Sequence, residues 1–261
     1  MAYSDKLAYA TQNDEGVVQE IKGYKPEGYD GEFGIYSSNI YFVGDFEEEL
    51  STQTFYDVPK PVKEMEEVDR QKGQQDGYKN LSFKSVDGNN WDYHAKGAED
   101  GEYWNEEDPA DYKWTQAYYD CPQIAAMLDW FQCPITRVRV FQQQPGHHMP
   151  LHTDFDNQKG MEHGQTVRIF VQLNENNGDF HYRFQTKDSD VSLQLQKGQW
   201  LAFNQDKVAH STWNSSDNRV RNSFMFVAKR NEWLDNVMRN HDKPIFVDCR
   251  ELAAQKAKTA A

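Results

Sequence analysis

Between Thr136 and Val227 the chain breaks into eight short runs of β-forming residues, each closed by turn chemistry, and that rhythm leaves few folds open. The runs are Arg137 to Gln143, Met149 to Phe155, Val167 to Leu173, Asp179 to Phe184, Val191 to Leu195, Trp200 to Phe203, Val208 to Trp213 and Arg219 to Val227. Strands of this length and spacing suit a sandwich or small barrel, and eight are enough for a double-stranded β-helix, so the expected class is mainly β, of jelly-roll or cupin-like type. Pro145-Gly146, Asn174 to Gly178, Lys197-Gly198 and Ser215-Ser216-Asp217-Asn218 supply the breaks.

Three residues inside this region have the character of metal ligands. Residues i and i+2 on a strand point to one side, so His152 and Asp154 can chelate together. His210, in the strand-like segment Lys207 to Trp213, can return a second imidazole from across a sheet. Two imidazoles and one carboxylate on one face of a metal leave the opposite positions open, the pattern of non-haem Fe(II) oxygenases. Structural zinc usually takes four cysteine-rich ligands, whereas Cys121, Cys133 and Cys249 are scattered singly with no CxxC pair. An HxD pair alone arises by chance in many proteins, with a solvated turn and an unrelated core histidine as the plainer explanation, so the order of the surrounding motifs carries the weight.

That order is Pro145-Gly146, then Pro150, His152 and Asp154, Arg168 within an apolar strand, Gly198, His210, Asn214 and a terminal arginine. It resembles the Fe(II)/2-oxoglutarate-dependent oxygenases, most closely the aspartyl/asparaginyl β-hydroxylase and proline hydroxylase group, over little more than a third of the chain. The resemblance implies Fe(II) held by His152, Asp154 and His210, with 2-oxoglutarate as co-substrate, O2 as oxidant and ascorbate as a supporting reductant. It also implies a buried arginine for the far carboxylate of the oxo-acid. A guanidinium fork matches a carboxylate bidentately and stays charged when buried, which favours Arg221, with Ser223 on the same strand face. Arg219, two residues nearer to His210, is the second choice. Arg168 would be costly to bury without a partner, so it either meets the oxo-acid or makes an internal ion pair. Asp154 departs from the aspartyl/asparaginyl β-hydroxylases proper, which lack the metal carboxylate, and matches proline hydroxylases. Related halogenases replace that carboxylate with a small residue, so hydroxylation is favoured over chlorination.

At 261 residues the chain exceeds a minimal barrel. The expected layout is an acidic N-terminal extension (1–110) packing on the barrel, a core with a preceding helix (111–230), and a C-terminal helix and tail (231–261). The extension holds roughly 25 acidic residues against about 10 basic ones. Glu47 to Glu49 and Glu64 to Glu67 read as solvated faces, while Tyr24, Tyr29, Phe33, Tyr36, Tyr41, Phe42 and Phe46 need somewhere to pack. Asp120 as N-cap and Pro122 in the first turn open a helix whose stripe is Ile124, Met127, Leu128 and Phe131. Trp233 to Arg239 reads as another, and Glu251 to Ala261 as a frayed helix or tail.

A net charge of −14 argues against holding a nucleic-acid backbone. Every arginine except Arg70 nevertheless lies at or beyond Arg137, so a local positive pocket suits a dianionic oxo-acid. Sparse cysteines, no apolar signal region and no span-length apolar stretch lead to an expected cytoplasmic location. The expected substrate is an amino acid or a peptide residue such as proline, asparagine or aspartate. His147, His148, His163, His181 and Trp213 are candidates for the mouth. Two rival readings are a non-catalytic cupin-like protein binding a metal or small acid, and a structural interaction protein whose acidic region makes the contacts.

Overall fold

Each of the eight runs contains a strand in the computed structural model, which describes residues 35–58, 77–91, 109–152, 166–185, 190–203, 208–238 and 243–260, so that the end of the second run, 153–155, lies outside the described residues. In chain order the elements are β1 (Ile35–Val43), α1 (Phe46–Ser51), β2 (Tyr56–Asp57), β3 (Tyr78–Ser85), β4 (Lys113–Trp114), α2 (Gln116–Asp120) and α3 (Pro122–Trp130). The eight strands follow as β5 (Ile135–Gln143), β6 (His148–His152), β7 (Thr166–Gln172), β8 (Phe180–Gln185), β9 (Asp190–Leu193), β10 (Gln199–Phe203), β11 (Ala209–Asn214) and β12 (Arg221–Lys229). Then come α4 (Glu232–Val237), β13 (Ile245–Asp248) and α5 (Cys249–Ala260).

These strands sort into two sheets. The smaller has the order β6-β11-β8-β9, and the larger β13-β1-β10-β7-β12-β5-β3-β2, with β4 paired to β3. Neighbours such as β6 with β11 and β5 with β12 join early strands to late ones, which is the double-stranded β-helix in its open, jelly-roll form rather than a closed barrel. Glycine makes two of the turns: Gly146 (φ +74°) leads into β6 and Gly198 (φ +77°) into β10.

Strand alternation fixes which side chains face inward. Val167, Ile169 and Val171 of β7, with Phe224 and Phe226 of β12 and Val138 and Val140 of β5, pack into the core beneath the helices. Phe170 and Met225 join a second core between the sheets, with Tyr182, Phe184, Leu201 and Phe203. By the same alternation Arg168 and Gln172, Arg221 and Ser223, and Arg139 and Gln143 point between the sheets.

The acidic N-terminal part supplies strands as well as α1. β1 pairs with β10 and β3 with β5, extending the larger sheet at both ends. Tyr36, Phe42 and Phe46 are buried and Tyr41 half-buried, whereas Tyr24, Tyr29 and Phe33 lie outside the described residues. Helix α3 carries the expected stripe, with Ile124, Met127, Leu128 and Phe131 all buried. Its N-cap, however, is Cys121, because Asp120 still belongs to α2. The orphan N–H groups are met from elsewhere in the chain: the Glu49 carboxylate accepts from Gln123 N at 2.8 Å and Ile124 N at 3.1 Å. Glu49 is therefore a cap rather than part of a solvated face, while Glu64 to Glu67 lie outside the described residues. Burial pushes the Glu49 carboxyl above its ordinary range, and those two N–H bonds oppose the shift. Glu49→Ala is expected to lower the unfolding free energy by about 1–2 kcal/mol, with Glu49→Gln recovering much of the loss, as read from urea-denaturation midpoints.

The C-terminal segment is ordered more firmly than a frayed tail. β13 lies parallel to β1, and on α5 Lys256 Nζ donates to Asp129 at 2.6 Å and to the Tyr118 hydroxyl at 2.9 Å. The helix expected from Trp233 is α4, N-capped by Asn231, whose side chain accepts from Leu234 N at 2.9 Å. Among the described residues no helix is long and apolar enough to cross a membrane.

Candidate active site between the sheets

In the smaller sheet β6 and β11 run antiparallel, and His152 stands directly opposite His210 in the register. A directly opposed pair brings its Cβ atoms to about 4.5–5.5 Å on one face, which suits two ligands of one ion. His210 is buried, with its ring centroid 4.7 Å from that of Phe203. Its Nδ1 lies 3.2 Å from the Val208 carbonyl. A carbonyl only accepts, so Nδ1 carries the proton and the lone pair of the neutral ring falls on Nε2, the arrangement of a metal-binding imidazole held by an outer hydrogen bond. Asp154 and His163 lie outside the described residues, as does the side chain of His152. Among the described residues no group of three or more His, Cys, Asp or Glu converges as a metal cage. The three cysteines are buried in the core beneath the helices, apart from the site, and burial pushes each thiol up to about 12.

Arg221 opens β12 and is almost wholly buried. Its Nη1 donates to Gln143 Oε1 at 3.0 Å and to the His181 carbonyl at 3.5 Å, its Nε donates to Gln172 Oε1 at 3.4 Å, and its guanidinium lies 3.9 Å from the Tyr182 ring centroid. All these partners are neutral, and the buried Nη2 has none. A buried guanidinium held only by carboxamides, a carbonyl and a phenol ring keeps its charge for something else, and a carboxylate is the group its fork fits. Arg221 thus offers a buried charge and a free Nη2 to a carboxylate. Burial raises the Tyr182 phenol above its ordinary range, with the Arg221 charge opposing, and Ser223 hydrogen-bonds the same hydroxyl.

Arg219 proves different from the expectation that it opens the last strand run. β12 begins only at Arg221, because Arg219 belongs to the preceding turn, where it pairs with Asp179 at 3.3 Å, donates to the Glu175 carbonyl and covers the Phe180 ring. Its charge is already matched at the end of the sandwich. Arg168 is buried and inward-facing, its register neighbour on β10 being Phe203, whose ring packs tilted against that of His210. The site therefore has His210, Phe203 and Arg168 toward one end and Arg221, Tyr182 and Gln143 deeper in.

Gln143, Gln172 and Tyr182 complete the arginine's cradle, although only the arginines announce themselves in the sequence. The available signal was strand parity, since Gln172 shares a face with Arg168 and Gln143 with Arg139. The other histidines divide. His181 lies on the outer face of β8, stacked on exposed Trp213, and burial together with the Arg221 charge holds it below its ordinary range. His148 is exposed on β6, and His147 is half-buried in the turn before it. Asn214 spends its amide on the Gln143 and Arg219 carbonyls, at 3.0 and 2.7 Å, and so fixes the turn into β12.

The family model described as Aspartyl/Asparaginyl beta-hydroxylase matches residues 57–230. None of the curated proteins matches the chain. Among solved structures the chain is similar to a Trichoplax adhaerens prolyl hydroxylase in complex with a hypoxia inducible factor peptide fragment, at 14% identity and TM-score 0.45, covering 79% of this chain and 86% of that one. It is similar also to an oxidoreductase of the 2OG-Fe(II) oxygenase family from Burkholderia pseudomallei, at 10% identity and TM-score 0.39, covering 72% and 89%. The likeness to tomato vicilin, at 18% identity and TM-score 0.27, covers 37% of this chain and only 23% of the vicilin.

Proposed function

Because the chain belongs to the aspartyl/asparaginyl β-hydroxylase family, matched over residues 57–230, we propose that it is an Fe(II)- and 2-oxoglutarate-dependent dioxygenase that hydroxylates an amino acid or a peptide residue of the Pro, Asn or Asp kind. His152, Asp154 and His210 would hold the iron. Arg221 takes the far carboxylate of the oxo-acid, with Ser223 and Tyr182 beside it and Arg168 toward the metal end. When bound, iron, oxo-acid and dioxygen supply oxidative decarboxylation to succinate and CO2 and the oxidising power to hydroxylate an unactivated C–H bond.

The chain's own task is positioning. The Val208 carbonyl orients His210, the Gln143 and Gln172 amides aim Arg221, and Phe170, Phe203 and Tyr182 keep water from the space between the sheets. The observation that carries the reading is the His152–His210 rung in a sandwich that also buries Arg221 without a carboxylate partner.

Turnover of 2-oxoglutarate to succinate with Fe(II), ascorbate and oxygen tests it, with His152→Ala as control and amino acids and short peptides added in turn. Turnover that His152→Ala abolishes is the expected result. Binding of metal and oxo-acid without succinate from any mixture would favour the silent cupin-like binding protein instead.

A further inference from the structure

β3 is not one of the eight jelly-roll strands, yet it lines the same interior. It pairs with β5 so that Tyr78 stands opposite Gln143, Asn80 opposite Phe141 and Ser82 opposite Arg139. Leu81 and Phe83 pack into the core beneath the helices, so the alternate set, Tyr78, Asn80 and Ser82, faces between the sheets. The Tyr78 hydroxyl lies 3.2 Å from Thr212 Oγ1 on β11, which ties this wall to the smaller sheet one turn of alternation below His210. From Tyr78, level with Gln143 and Arg221, the strand runs on to Asn80, level with Phe141 and Ser223.

Asn80 is 1% exposed. Its Nδ2 donates to Ser82 Oγ at 3.3 Å, and its Oδ1 is buried with no partner. Were the carboxamide turned over, its oxygen could accept from the Ser82 hydroxyl, and the NH2 would be the unmet end. In either setting half of a buried amide faces the interior unsatisfied, which a fold tolerates only at a cost. The neighbouring Tyr78 and Gln143 side chains are engaged with one another and with the smaller sheet, and the free Nη2 of Arg221 is a donor, which leaves the Asn80 oxygen as an unused acceptor on this wall.

We propose that Asn80 is a specificity-determining residue that accepts a hydrogen bond from an amide N–H of the substrate, so that the compound hydroxylated brings a peptide-type amide to the β3 wall. This rests on the oxygenase reading above. An apolar substrate atom placed there would leave the carboxamide unmet, and a compound lacking the N–H would be discriminated against as it is at any site built to hydrogen-bond its ligand.

The test compares wild type with Asn80→Leu, a close match in size. Capped tripeptides Gly-X-Gly with X as Pro, Asn or Asp, and the same peptides methylated on their backbone nitrogens, are assayed for stimulation of succinate release. Wild type is expected to prefer the unmethylated form by about tenfold in kcat/KM, the worth of one hydrogen bond, and Asn80→Leu to lose that preference. The variant's KM for 2-oxoglutarate in the absence of peptide should be unchanged, and its urea-unfolding midpoint should be equal or higher, because an unmet polar group has been replaced by an apolar one. A lower midpoint would assign Asn80 to the fold and overturn the proposal. Equal use of methylated and unmethylated peptides by wild type, or no stimulation by any of them while peptide-free succinate release persists, would overturn it and leave the oxygenase reading standing. No succinate under any condition would sink both.

Discussion

Arg221→Ala is expected to weaken 2-oxoglutarate binding by on the order of a hundredfold or more, the usual consequence of removing one half of a buried charge pair. Fe(II) affinity should change little, because the guanidinium is held by Gln143, Gln172, the His181 carbonyl and the Tyr182 ring rather than by His210. Anaerobic calorimetric titration of metal, then of oxo-acid, separates the two; undiminished oxo-acid affinity would remove Arg221 from the anchor role. A companion substitution examines the neutral cradle. Gln143→Glu places a carboxylate where Gln143 Oε1 now sits, 3.0 Å from Nη1, and so fills the anchor from within. The arginine would hold that new carboxylate below its ordinary range, so the block persists at neutral pH and lifts only on strong acidification. Arg219→Ala serves as the control. Its charge is matched by Asp179, and loss of that half-exposed pair should leave oxo-acid affinity near the wild-type value.

The second large effect concerns stability. Gly198→Ala is expected to cost about 3 kcal/mol or more, because two penalties coincide. The residue has φ +77°, and an added Cβ would lie 1.9 Å from the Phe42 carbonyl oxygen. Nor can that backbone easily move, since Gly198 N donates to Gln172 O at 2.7 Å and Phe42 N donates to Gly198 O at 2.9 Å. Gly146→Ala isolates the conformational part, for its φ is +74° but open space surrounds its Cβ, and the loss should be about 1–2 kcal/mol. Urea unfolding of both variants checks the contrast; equal losses would mean that crowding by β1 is not what requires glycine at position 198.

The eight strands were readable because each is short, alternating or continuously apolar, and bounded by turn residues, a purely local code. β1, β3 and β13 were not readable in the same way. Tyr78 to Ser85 holds two lysines, two serines and an asparagine, and its polar face is buried only because it looks into the jelly roll beside β5. Glu49 shows the same limit, since its capping role depends on a helix far along the chain. In the site, His210 and Arg221 stood out by residue type and order. Gln143 and Gln172 did not, because an amide declares nothing until the group it touches is known.

The placement of β1 has a consequence in time. Ile35 pairs with Phe203 and Ile40 with Ile245, so this early strand finds its two neighbours only near the end of the chain. Closing such long loops is slow, and until β10 and β13 arrive β1 is an apolar edge with open hydrogen-bonding groups. The nascent protein must therefore pass through an interval in which its aggregation hazard is greatest just before its fold is complete.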